Sequence, residues 1–220
     1  MSKQEVTIFT EMSALATKHN AINLSQGFPD FDLDPVLGKY LKEAFETGYN
    51  QYAPMAGLPL LRQSIADTVL KKYDKLISAE NNITITPGAT YAIYAALASF
   101  IKSGDEVIIL EPAYDSYAPN ITSLGGKVIR VQLNATNFSV DWEAVKAAVS
   151  KNTKAIIINS PHNPTGVLWS SSDYAALKEL VKNTAIKIIS ALGTSSASAL
   201  EKLNRPDSTF LATNCSRPGS

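Results

Sequence analysis

The sequence contains very little cysteine and histidine, and it lacks any long apolar run. Cys215 is the only cysteine, so a disulfide framework and a cysteine-based zinc site are excluded. His19 and His162 are the only histidines and stand beside no cysteine or carboxylate cluster, so no metal site is predicted. The longest mainly apolar segment, residues 91–101, is too short to span a bilayer, and the first residues form no apolar signal core. These absences predict a cytoplasmic protein.

Charge of one sign is also not in excess. The 20 basic and 20 acidic residues give a formal net charge of zero, and no block of like charges occurs. This balance argues against a nucleic-acid or membrane-surface partner. A hydrophobic content of 45% with 18% charged residues over 220 residues is typical of a globular protein with a sizeable core.

Helical and strand patterns alternate along the chain. Asp34 and Pro35 predict the start of a helix, in which Leu37, Leu41 and Phe45 recur every four residues. Further helices are predicted within 58–73, over about Ala89–Lys102, before a stop at Gly125 and Gly126, within 141–149 and over Ser172–Lys182. Strands are predicted at Ile83–Thr86, Val107–Leu110, Lys127–Leu133, Ala155–Ile158 and Ile186–Ile189. The alternation predicts an α/β fold, with a mainly parallel sheet sandwiched by helices.

The changes in composition and predicted structure along the chain predict three parts. Residues 1–35 are expected to form an N-terminal arm, and residues 36–190 the α/β domain. Residues 191–220 are rich in Ser, Thr, Ala and Asn, which predicts a divergent, partly disordered tail. Within it, "SASALEKL" (196–203) is compatible with one short helix, and the rest is expected to be loop.

Candidate functional residues follow the predicted strands, because ligands of open α/β sheets bind beyond the carboxyl ends of the strands. Gly88, Ala89 and Thr90 open a helix after one strand, and free amides there favour an anion. Taken alone, the segment is more often an ordinary helix start, since no glycine-rich phosphate motif is present. Tyr114 follows the next strand and is either a platform for a planar ligand or a rim aromatic.

The segment "NSPHNPTG" (159–166) is stiffer than a connecting loop requires. Pro161 and Pro164 each fix a backbone angle, and a residue before proline, here Asn163, is pushed into the extended region. The Asn163 amide is therefore a candidate donor to one polar ligand atom. The alternative is an asparagine that satisfies its own turn.

Together these pieces resemble the class I and II aminotransferases, pyridoxal 5'-phosphate (PLP) enzymes of fold type I. The matching stretches are "INLSQGFPDF", "NQYAPMAGLPLLR", "ITPGATYAIYAA", "GDEVIILEPAYDSYAP" and "NSPHNPTG", in the family's order and spacing. The resemblance covers about residues 5–190 and looks closest to the methionine, glutamine and kynurenine transaminase branch. It implies that residues 36–190 form a partial PLP-binding large domain.

The resemblance also implies roles for individual residues. Gly88, Ala89 and Thr90 would hold the cofactor phosphate, Tyr114 would stack on the pyridine ring, and Asn163 would bond the ring hydroxyl near the substrate carboxylate. Gly27 would offer its backbone to the substrate carboxylate. Tyr52 would reach the phosphate of the neighbouring subunit, which implies a homodimer. The implied substrates are an amino acid and a 2-oxo acid.

Two groups of the family pattern are missing. Alanine stands at position 191, where the family has the aspartate that pairs with the pyridine nitrogen. The family's cofactor-bonding lysine has no counterpart, because Lys202 has neither its context nor its spacing. Family members are nearly twice this length. These departures predict a truncated, inactive form with no catalytic residue of its own and weak or absent PLP binding.

Four interpretations remain open from the sequence. The chain is a defective aminotransferase-family protein, a non-catalytic protein that pairs with an intact aminotransferase subunit, or a plain nucleotide- or phosphate-binding α/β module. Alternatively, the residues after Ser190 result from a frameshift or gene-model error. A partial domain is also expected to leave a sheet edge and apolar surface uncovered, which predicts poor solubility or association.

Overall fold

A computed structural model describes residues 8–27, 31–192 and 209–213 of the chain. The chain divides into two compact units, Met1–Tyr52 and Ala53–Ser220, whereas the sequence placed a boundary after residue 35. The helix expected in "SASALEKL" and Lys202 lie outside the described residues. Within the described part, no helix is long and apolar enough to cross a membrane.

The first unit contains two helices, α1 (Ile8–Lys18) and α2 (Pro35–Glu46). The start of α2 is the one predicted: the Asp34 carboxylate accepts a hydrogen bond from the Val36 amide at 3.0 Å, and Pro35 opens the helix. The apolar stripe of α2 is exposed, with Leu41 at 74% and Phe45 at 68% of full exposure.

The second unit is a five-stranded parallel sheet with helices. Its helices are α3 (Pro59–Tyr73), α4 (Ala89–Ala98), α5 (Tyr117–Ser123), α6 (Trp142–Ala148) and α7 (Ser171–Val181). Its strands are β1 (Glu106–Glu111), β2 (Lys127–Gln132), β3 (Thr153–Asn159), β4 (Lys187–Leu192) and β5 (Thr209–Thr213). The strand order is β2-β1-β3-β4-β5, and every neighbouring pair is parallel. The predicted fold class is confirmed.

The core lies on both faces of the sheet. In β3, Ile156 and Ile158 pack into one cluster with residues of α6 and α7, while Ala155 and Ile157 pack into a second with residues of α4 and α5. In a strand covered on both faces all side chains are buried, so polar and apolar residues do not alternate along it. The continuous apolar run "AIII" forms the central strand of the sheet, and the sequence predicted the strand but not its central place.

Three local predictions were wrong. Ile83–Thr86 is not a strand, because its Ile85 amide bonds the Ala56 carbonyl at 3.0 Å and not a ladder partner. Helix α4 ends at Ala98, four residues before Lys102. Residues 209–213, which were expected to be loop, form β5. The sequence "TFLAT" is rich in β-forming residues, and β4 supplies the parallel partner that a strand requires.

Candidate functional site

Two of the predicted site residues in the second unit follow strands at the carboxyl edge of the sheet. Since all five strands are parallel, they end at the same edge, and Tyr114 and Asn163 follow β1 and β3 there. Helix α4 packs against α5, β4 and β5. The neighbouring strands β1 and β3 therefore bring their following loops side by side.

Gly88 forms an open corner at the start of α4. Its φ of 90° and ψ of 164° belong to a region that is essentially restricted to glycine. No side chain caps the helix, and no atom lies within 4 Å of the position that a Cβ would occupy. The first amides of a helix have no intrahelical partner, so this corner leaves donors and space for an anion.

Tyr114 is held from behind by Tyr117. The two rings meet edge to face with centroids 5.8 Å apart, and Tyr117 is buried at the start of α5. Burial raises the pKa of the Tyr117 phenol above its usual range; Tyr114 raises it further, and a hydrogen bond with the Asn159 amide opposes the shift. Tyr117 therefore stays a neutral phenol, and the half-buried Tyr114 ring has a fixed support.

The Asn163 loop is closed by its own hydrogen bonds. The His162 amide donates to the Val167 carbonyl at 2.9 Å, and the Gly166 amide donates to the His162 carbonyl. The buried His162 ring contacts the Thr165 hydroxyl at 2.8 Å, and burial lowers the pKa of this histidine. A neutral, anchored histidine thus holds the corner, while the Asn163 side chain itself is exposed.

Several contacts join these segments into one region. The Asn120 amide nitrogen of α5 donates to the Thr90 carbonyl at 3.3 Å, linking α5 to the first turn of α4. Ala89, Tyr114 and Ala191 all pack against the same apolar cluster. Ala191 also stands opposite Asn159 in the β3–β4 register. The structure therefore places the start of α4, the β1–α5 connection and the end of β4 on one face.

The other two predicted site residues belong to the first unit. Tyr52 is fully exposed, and no atom lies within 4 Å of the position of a Cβ on Gly27. The roles that the resemblance implies for Gly27 toward the substrate and for Tyr52 toward the phosphate stay predictions.

Sequence reasoning missed two buried polar residues behind the site. Asn159 ends β3 with 8% exposure, and Tyr117 is 4% exposed. A signal was present for both, since Asn159 is a polar residue closing the apolar run "KAIII", and Tyr117 lies three residues after Tyr114. Their mutual contact could not be inferred, because 42 positions separate them in the sequence.

PLP, the cofactor implied by the resemblance, fits this region in part. The uncapped, roomy corner at Gly88 suits a phosphate, and Tyr114 and Asn163 offer a ring face and an amide. The pyridine nitrogen finds no acid at the end of β4, because the Ala191 methyl group cannot bind a proton. The described residues also contain no group of three His, Cys, Asp or Glu side chains arranged to hold a metal ion.

Comparisons with known proteins identify relatives of this chain. The family model "Aminotransferase class I and II" matches residues 19–190. A methionine aminotransferase of Escherichia coli is 47% identical over 184 residues, covering 84% of this chain and 48% of the relative. A probable N-succinyldiaminopimelate aminotransferase of Mycobacterium tuberculosis is 42% identical over 176 residues, covering 79% of this chain and 44% of the relative.

The solved structures give the same result. The crystal structure of an Escherichia coli protein identified as a methionine aminotransferase superposes with a TM-score of 0.88 at 41% identity, covering 98% of this chain and 59% of that one. The chain spans about half the length of the curated relatives it matches, and the match is to their N-terminal part. The chain belongs to the class I and II aminotransferase family.

Proposed function

We propose that this chain carries the cofactor-binding part of a PLP-dependent transaminase, which moves an amino group from an amino acid to a 2-oxo acid. The observation that carries the proposal is that the Tyr114 ring and the exposed Asn163 amide follow the neighbouring parallel strands β1 and β3 at one sheet edge. The uncapped start of α4 is linked to the same region, because the Asn120 side chain of α5 donates to the Thr90 carbonyl at 3.3 Å. Family membership supplies the reaction class.

Each residue has a task that its chemistry suits. The amides of Ala89 and Thr90 bind the phosphate dianion at the positive end of α4, and Gly88, whose own amide donates to the Thr86 carbonyl, leaves the space for it. Tyr114 covers one face of the pyridine ring, and Asn163 donates to the ring hydroxyl. When bound, PLP supplies an electron sink for the carbanion formed at the α-carbon of the amino acid.

The roles in the first unit extend this proposal. The Gly27 backbone would bind the substrate carboxylate, and Tyr52 would donate to the phosphate held by a second subunit. Both belong to motifs that the chain shares with the family, and the exposed Tyr52 hydroxyl is available to a partner. These roles favour a homodimer with shared sites.

We further propose that this polypeptide, as written, binds PLP weakly and does not catalyse transamination. Ala191 leaves the pyridine nitrogen without an acid, and protonation of this nitrogen is what makes the ring an effective electron sink. Lys202 is the only lysine after Lys187, and it stands in a segment unlike the family's lysine motif. Within these 220 residues no lysine in the family's context offers a covalent link to PLP or a proton shuttle.

A direct assay tests this proposal. With PLP, a panel of amino acids and 2-oxoglutarate, the chain should give no turnover above buffer, while the intact Escherichia coli methionine aminotransferase serves as the active control. Reduction with borohydride followed by mass spectrometry should reveal no stoichiometric PLP adduct on one lysine. Such an adduct, or measurable turnover, would show that another lysine of the chain replaces the family's residue.

A ligand titration separates this function from that of a plain phosphate-binding module. Tyrosine fluorescence should respond to PLP at lower concentration than to AMP, because Tyr114 and Asn163 add ring contacts that are specific for PLP. Equal responses to AMP and PLP would favour a general phosphate site.

A second candidate function is pairing with an intact aminotransferase subunit without catalysis. The observation that favours it is the exposed apolar stripe of α2, formed by Leu37, Tyr40, Leu41 and Phe45. Contiguous apolar surface of this kind is typical of interaction sites. Co-expression with a tagged full-length homologue should recover this chain, and the double variant L41E/F45E should lose it. Recovery of the variant at the wild-type level would exclude α2 as the contact.

A further inference from the structure

Arg62, in the first turns of α3, is a buried cation with an unusual set of partners. Its side chain is 9% exposed, and its guanidinium donates from Nε to the Ala79 carbonyl at 2.8 Å and from Nη2 to the Glu80 carbonyl at 2.7 Å. Among the described residues, no carboxylate forms an ion pair with it. Burying an arginine for two neutral acceptors is costly, so its role must lie in what the planar fork holds in place.

The Arg62 guanidinium holds a tight turn between α3 and α4 through these two hydrogen bonds. Within this turn the Asn82 amide donates to the Ser78 carbonyl at 2.9 Å, and the Ser78 amide donates to the Asn82 side chain at 2.9 Å. The chain then runs through Ile83–Thr86, which joins none of the five described strands, to Gly88. The position of Gly88 is therefore not fixed by sheet pairing.

A second anchor follows the first along the chain, at Ile85. The Ile85 amide donates to the Ala56 carbonyl at 3.0 Å, and the Ile85 side chain packs on the backbone of Gly57. A Cβ at Gly57 would lie 2.4 Å from Ile85 Cγ1, and the φ of this glycine is 99°. Only glycine permits this approach without displacing Ile85.

The second anchor lies near the start of α4, and the first holds the turn from which the chain runs to it. Ile85 and Gly88 are three residues apart, so the connecting chain spans at most about 10 Å. Its corner is stiffened further, because the Gly88 amide donates to the Thr86 carbonyl at 2.8 Å and the Thr86 hydroxyl donates to the Gly88 carbonyl at 3.2 Å. A shift at Ile85 is therefore passed to the first amides of α4.

We propose that Arg62, together with Gly57, is a positioning element for the phosphate-binding turn Gly88–Thr90. The inference rests on the proposed function, because it takes this turn as the place where the PLP phosphate binds. Arg62 touches no cofactor atom in this account. It acts through the 79–80 carbonyls, and Gly57 acts through Ile85.

The test compares the affinities of the full chain for PLP and for pyridoxal, which has the same ring without the phosphate. The variants are R62M, R62K and, as a matched exposed cation on the same helix, K71M. We expect R62M and R62K to weaken PLP binding about tenfold and to leave pyridoxal binding within about twofold. Lysine at position 62 should not restore PLP affinity, because an ammonium group cannot reproduce the planar pair of donors of a guanidinium group. K71M should behave as wild type.

Hydrogen exchange gives a second measurement that requires no ligand. In R62K and in G57A, the amides of residues 88–92 should exchange faster, while those of β3 keep wild-type protection. Unchanged exchange at residues 88–92, or parallel loss of PLP and pyridoxal affinity, would overturn the positioning role. If wild-type chain binds PLP no tighter than pyridoxal, the proposed phosphate site fails by itself, and the exchange data still decide whether Arg62 positions the turn.

Discussion

Replacing Ala191 with aspartate is expected to tighten PLP binding about tenfold, because a charge-assisted hydrogen bond to the pyridine nitrogen is restored. Ala191 packs against the same apolar cluster as Ala89 and Tyr114, and it stands opposite Asn159 in the sheet. A carboxylate at this position therefore enters the face on which the proposed cofactor site lies. The affinity is measured by fluorescence titration of both proteins.

The same substitution should destabilise the chain when PLP is absent. Position 191 is half-buried, and an unpaired polar group there costs about 1–3 kcal/mol. The A191D variant is thus expected to melt at a lower temperature than wild type alone and to gain more from saturating PLP. A191N has nearly the same shape without the charge and is the control. Equal PLP affinity of A191D and A191N would contradict the proposed place of the ring nitrogen.

Replacing Gly88 with aspartate is expected to weaken PLP binding by about 100-fold or more, through repulsion of the phosphate at short range. The φ of 90° adds backbone strain of about 1–3 kcal/mol for any side chain. G88N carries the same strain and nearly the same volume, so the difference between G88D and G88N isolates the charge. Isothermal titration calorimetry of the two variants measures this difference.

A second control tests whether backbone strain at a positive-φ glycine is by itself enough to lower PLP affinity. Gly104 has a φ of 86° and, like Gly88, no atom within 4 Å of a Cβ position, yet it lies at the opposite end of α4. G104D should therefore lose stability without losing PLP affinity. If G88D and G88N bind PLP equally, or if G104D loses affinity as strongly as G88D, the start of α4 is not the phosphate site.

Much of the fold follows from local patterns. Runs such as "EVIIL" and "KAIII" bury nearly all of their side chains when they form strands covered on both faces. They become β1 and β3. The prediction failed where a strand depends on a partner. Ile83–Thr86 has strand-like residues but no ladder, while Thr209–Thr213 pairs with β4 despite its polar surroundings. Sequence periodicity does not reveal which strand of the sheet has an edge free to pair with a further strand.

The site was partly predictable for a geometric reason. Parallel strands end at one edge, so Tyr114 and Asn163 were expected at that edge once the strands before them were recognised, but the sequence did not indicate that β1 and β3 are neighbours. The supports of the site were not predictable. Arg62 reaches carbonyls 17 and 18 residues away, and Gly57 contacts Ile85 across 28 positions. Nothing in the local sequence of either residue indicates these partners.

The central claim is that the start of α4, the β1–α5 connection and the loop after β3 bind one PLP molecule. Amide chemical shifts of the labelled chain during a PLP titration test it most directly. The account predicts concerted shifts at residues 88–92, 113–115 and 162–166 with a single dissociation constant, and none at β2. Shifts confined to one of the three segments, or spread over lysines across the surface, would contradict it.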